Sequence, residues 1–77
     1  MAQATPSGTN TITLTVNGEP REAPQGATIA GLLDQLGLAR TACAVEVNRE
    51  LAPRATHESH TLAEGDEVEI VTLVGGG

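Results

Sequence analysis

Seventy-seven residues make one domain at most, and 17 large aliphatic side chains with no Phe, Tyr or Trp dictate a small aliphatic core. The missing rings exclude a base-stacking platform. Ten acids against four arginines, a formal net charge of −6, set the surface against nucleic acid and anionic lipid and fit it to a protein with a basic docking face.

Residues 1–10 (MAQATPSGTN) are small and polar, lack the charged and apolar regions of a signal peptide, and are expected to be a disordered arm. Thr-Ile-Thr-Leu-Thr-Val over residues 11–16 alternates strictly, which predicts a half-buried strand with Ile12, Leu14 and Val16 inward. Asn17-Gly18 tolerates positive φ and predicts a tight hairpin. The return strand runs over about residues 19–23 and closes at Pro24. Thr28 is placed to cap a helix whose apolar stripe is Ile29, Leu32, Leu33 and Leu36, with Gly37 ending it. Gly31 weakens that helix, and close packing against a sheet would explain it.

Residues 42–48 predict a third strand with Cys43, Val45 and Val47 on one face and Ala44 and Glu46 on the other. Asn48-Arg49 turns the chain into a short strand over residues 50–52, which Pro53 ends. Residues 54–61 read as loop, and Leu62 as a core plug. Residues 67–73 predict the last strand, with Val68 and Ile70 inward and Thr72 continuing that parity. Hairpin, helix, strand, short strand and final strand bury one stripe and one face most economically as an α+β fold. That fold is a mixed sheet of four to five strands with one main helix across one face, the first and last strands side by side at its centre.

Catalytic constellations are absent from this pattern. Ser7 lies in the arm and Ser59 in a polar loop, with no base positioned near either. His57 and His60 stand three apart without a further thiol or histidine close in sequence, so a solvated loop, not a metal site, is expected. Cys43 shares the inward parity of Val45 and reads as a small core hydrophobe. One cysteine cannot form an internal disulfide, and no apolar run approaches a membrane span, so a reduced, cytoplasmic, monomeric domain is expected.

The sequence ends at Val74-Gly75-Gly76-Gly77, directly after an apolar strand. A frayed terminus is the plain reading. The alternative is a flexible tail without side chains, able to thread a narrow channel in another protein and deliver its terminal carboxylate to an activated phosphate.

The ordered set of segments resembles the sulfur carriers of the ThiS/MoaD family, and within it the ThiS branch. They are Val16-Asn17-Gly18-Glu19, Thr28-Ile29 with Leu32-Leu33, and Val45-Glu46-Val47-Asn48 leading to Pro53-Arg54. Leu62-x-x-Gly65-Asp66-x-Val68-Glu69-Ile70-Val71 into Val74-Gly75-Gly76-Gly77 completes the set, which covers residues 11–77. His57 departs from the pattern at a position often aromatic in this family.

The resemblance implies a ubiquitin-like β-grasp over residues 11–73, with residues 1–10 as arm and 74–77 as a flexible reactive tail. It implies a protein co-substrate, not an enzyme, with no bound cofactor. An E1-like adenylyltransferase of ThiF type would consume ATP to adenylate the Gly77 carboxylate. A cysteine desulfurase persulfide would supply sulfur for a thiocarboxylate, and a thiazole synthase of ThiG type would accept it. Val74, Gly75 and Gly76 would occupy the partner's channel. Val71 and Leu73 share outward parity with Glu67 and Glu69, and with Glu46 nearby they are expected to form an apolar docking surface with an acidic rim. Cover by loops or by the arm is the competing expectation for that face. Other functions compatible with such a tail are a MoaD-like subunit of molybdopterin synthase, a carrier feeding cysteine or a natural product, a protein modifier, and a plain interaction domain.

Overall fold

The alternating stretch Thr11–Val16 forms strand β1, and the computed structural model that contains it describes residues 10–73. The arm over residues 1–9 and the tail over residues 74–77 lie outside the described residues. Asn17 (φ 52°) and Gly18 (φ 84°) turn the chain into β2, Glu19–Pro24. Two successive positive φ values match the right-handed twist of the hairpin. Helix α1 spans Ile29–Gln35, β3 Cys43–Val47, β4 Glu50–Ala52 and β5 Glu67–Thr72. The five strands lie in the order β2-β1-β5-β3-β4, with β1 and β5 parallel at the centre and the other pairs antiparallel. This is the ubiquitin-like β-grasp, five strands with one α-helix.

Helix α1 is only seven residues long, too short to persist alone. Its ends are bonded with little left over. The Ile29 amide donates to the His60 carbonyl at 3.1 Å, Ala30 to His57 at 2.8 Å, and Gly31 to Thr28 Oγ1 at 3.1 Å. At the other end Leu38 donates to Leu33 and Gly37 to Asp34, with Gly37 at φ 75°, which is the Schellman closure. Ile29, Leu32 and Leu33 are fully buried against Leu14, Val45 and Val68 of the sheet. Leu62 plugs the same core, held by its amide on the Ala27 carbonyl at 2.8 Å.

Several expectations are corrected. His57 is not solvated: it is 2% exposed, and its Nε2 meets the Ala52 carbonyl at 2.9 Å. Residues 54–61 are more than a loop, because Arg54–Thr56 makes a 3₁₀ turn and Thr61 bridges Thr28. That turn is tied to the start of α1 by the Ala30 amide on the His57 carbonyl, and the ring is held by the Ala52 carbonyl. Gly31 is exposed, and an added Cβ would meet only Thr28 Oγ1 at 3.5 Å, so no close sheet contact explains it. Residue 42 belongs to a 3₁₀ turn, Arg40–Ala42, before β3 begins. Thr72 is exposed despite its parity, because α1 ends before it can cover that end of the sheet. Val16 is half-buried for the same reason and, with Leu36, Leu38 and Ile70, lines a groove of about 530 Å³.

Candidate docking face

The face of the sheet opposite α1 carries the outward residues of every strand. The Asn48-Arg49 turn (φ 53° and 71°) fixes Glu46 opposite Leu51. Pairing between β3 and β5 sets Ala44 opposite Val71 and Glu46 opposite Glu69. Three large aliphatics stand exposed among the described residues: Leu51 at 68%, Val71 at 60% and Leu73 at 50%. No loop among the described residues covers Val71 or Leu73, and the arm expected as the other cover lies outside them. Residues 44, 46, 69, 71 and 73, which the sequence pattern assigned to one surface, therefore do share it.

The acids on this face are poorly compensated. Glu46 and Glu69 lie directly opposite each other, a like-charge pairing that weakens a sheet. Neither has an arginine within ion-pair distance among the described residues, whereas Glu67 has Arg49 at 4.0 Å. A cationic group from a partner would relieve that repulsion while the aliphatics are buried, so this face is suited to a basic partner with an apolar centre.

Leu51 was missed by the sequence reading, although a signal was available. A two-residue turn at Asn48-Arg49 forces residue 51 opposite residue 46, hence outward. The other residues singled out for chemistry are engaged elsewhere. Cys43 is buried, with its Sγ donating to the Ala39 carbonyl at 3.3 Å. His57 is buried with its Nε2 on the Ala52 carbonyl and His60 is half-buried, and they share no metal-holding group among the described residues. No group of three His, Cys, Asp or Glu side chains with metal-holding geometry occurs among the described residues. No helix among them is long and apolar enough to cross a membrane. The tail positions Val74, Gly75, Gly76 and Gly77 lie outside the described residues, but their point of departure is fixed. Leu73 donates its amide to the Ala42 carbonyl at 2.6 Å, at the edge of the exposed patch.

Comparison with known proteins adds family to geometry. The model of the ThiS family matches residues 14–77. A solved structure of a thiamine biosynthesis protein (ThiS) from Geobacter metallireducens superposes with a TM-score of 0.73 at 33% identity, covering 86% of this chain and 100% of that one. The sulfur carrier protein ThiS of Escherichia coli is 26% identical over 61 residues, 79% of this chain and 92% of that protein. A thiazole synthase of Magnetococcus marinus is 44% identical over 62 residues, which are 80% of this chain but 19% of that protein. The chain thus spans about a fifth of the length of that relative.

Proposed function

The chain belongs to the ThiS family of ubiquitin-like sulfur carriers, and on that footing we propose that it carries sulfur on Gly77 for the thiazole ring of thiamine. An E1-like adenylyltransferase of ThiF type binds the sheet face bearing Val71, Leu73, Glu69 and Glu46 and draws Val74, Gly75 and Gly76 into its channel. The Gly77 carboxylate attacks the α-phosphate of ATP, and pyrophosphate leaves. The terminal sulfur of a cysteine desulfurase persulfide then attacks the acyl carbon and expels AMP. A thiol takes the inner sulfur as a disulfide, which leaves a thiocarboxylate on Gly77. Activation as an acyl phosphate makes the sulfur transfer feasible, and covalent attachment keeps sulfide from diffusing away. The chain binds no cofactor of its own, since the ATP belongs to the activating enzyme, and it works in the cytoplasm.

The observation that carries this reading is the exposed aliphatic pair Val71, on β5, and Leu73, one residue past its end, directly before Val74-Gly75-Gly76-Gly77 in the sequence. A thiazole synthase that holds a segment like this chain within its own polypeptide supports a ThiG-type enzyme as acceptor, because a fused carrier needs no separate docking encounter. ATP–pyrophosphate exchange with a ThiF-type enzyme tests the proposal. One alanine added after Gly77 leaves a carboxylate of the same chemistry but displaces it, and about 1 Å of misplacement can cost roughly 100-fold. Exchange is therefore expected to collapse in the extended protein while its fold is unchanged. Equal exchange by both proteins would show that Gly77 is not the reacting residue.

A further inference from the structure

Strand β5 loses one of its two neighbours partway along its length. Its backbone groups alternate in direction. On the β3 side Asn48 donates to the Glu67 carbonyl at 2.7 Å and Leu73 donates to Ala42. On the β1 side Thr15 donates to the Asp66 carbonyl at 3.0 Å and Asn17 to the Val68 carbonyl at 2.8 Å. There β1 stops, since Asn17 and Gly18 turn the chain away, and no further β1 residue faces Ile70. The Asn17 side chain takes that place. Its Oδ1 accepts from the Ile70 amide at 2.8 Å, and its Nδ2 donates to the Ile70 carbonyl at 3.2 Å.

One carboxamide thus supplies the donor and the acceptor that a strand residue would have supplied. Few residues could serve there. Glycine tolerates the positive φ but brings no side chain, aspartate brings no donor when ionised, and glutamine is a methylene longer.

We propose that Asn17 is a positioning residue for the C-terminal tail, anchoring β5 at Ile70 and so fixing the course of the strand as far as Leu73, the last residue before the tail. The inference rests on the sulfur-carrier reading above. Beyond Ile70 the β1 side offers no backbone partner among the described residues, so the rung made by Asn17 is the last hold there on that edge. Without it the end of β5 is held through β3 alone and can tilt. Gly77 lies seven residues beyond Ile70. At about 3.3 Å per extended residue, a tilt of about 5° moves the end of a drawn-out tail by about 2 Å. A displacement of that size is enough to spoil in-line attack on a phosphate. Val71 and Leu73 lie within about 10 Å of Ile70 along the chain and move by less than about 1 Å under the same tilt, so docking is disturbed less than delivery of the carboxylate.

Asn17→Gly keeps the backbone conformation and removes the carboxamide, and Asn17→Asp keeps the acceptor alone. Amide hydrogen exchange is read at Ile70, with Val45 as the core control, and kcat and KM are measured in ATP–pyrophosphate exchange with a ThiF-type enzyme. In Asn17→Gly the Ile70 amide is expected to exchange at least about tenfold faster while Val45 is unchanged. The kcat falls about 10- to 100-fold with KM within about threefold, and Asn17→Asp lies between. An unchanged kcat in Asn17→Gly, or a rise in KM alone, overturns the inference. Equal acceleration of exchange at Val45 also overturns it, by assigning the loss to folding. A wild-type protein that supports no pyrophosphate exchange fails the sulfur-carrier reading and this inference with it. An active wild type matched by an equally active Asn17→Gly fails this inference only.

Discussion

Replacing Val71 by threonine tests the docking face with little disturbance of the fold. Both side chains are β-branched and suit a central strand, and the site is 60% exposed, so stability should move by no more than about 0.5 kcal/mol. The cost falls on the complex. One methyl is worth about 0.8 kcal/mol when fully buried, and 60% of that is about 0.5 kcal/mol. The hydroxyl that replaces it must be desolvated against an apolar partner, which adds about 1 kcal/mol at the low end of mutational measurements. Together these give about 1.5 kcal/mol, or roughly a tenfold weaker complex. Titration of the variant into an ATP–pyrophosphate exchange assay should show KM about tenfold higher with kcat kept, the signature of lost uniform binding. A KM within about twofold of the wild-type value would remove Val71 from the interface.

Two further outcomes concern the body of the protein. His57→Ala leaves a cavity and removes the ring's hydrogen bond to the Ala52 carbonyl, so urea unfolding should show a loss of about 2–4 kcal/mol with the slope unchanged. Because Nε2 faces that carbonyl and Nδ1 has no partner, the ¹⁵N spectrum of the wild-type ring should place the hydrogen on Nε2. Gly31→Ala should stabilise by about 0.5–1 kcal/mol, raising Tm by several degrees, because the added methyl points to solvent and makes only an ordinary contact.

The fold was legible where local chemistry and burial agree. The alternation of residues 11–16, the Asn17-Gly18 turn, the Thr28 cap and the Gly37 stop each have a local cause, and each stands where the sequence puts it. The outward face was legible from strand parity, since a period of two sends Glu67, Glu69, Val71 and Leu73 to one side. What escaped depends on groups far apart in the chain. Polar neighbours make His57 look solvated, yet the 3₁₀ turn at Arg54–Thr56 buries it against the Ala52 carbonyl. Thr72 follows the inward parity, but parity cannot say where a helix of seven residues stops covering the sheet. Asn17 reads as a turn residue, while its side chain reaches 53 positions along the chain to Ile70. No local pattern encodes that bond.

The central claim is that sulfur resides on Gly77. Its most direct test is the intact and fragment mass of the protein after incubation with ATP, a ThiF-type enzyme, a cysteine desulfurase and cysteine. The account predicts that one oxygen is replaced by one sulfur, and that the change maps to the C-terminal fragment containing Gly77. A sulfur added without loss of oxygen on the fragment containing Cys43, or a covalent conjugate to another protein through Gly77 with no thiocarboxylate, would contradict it.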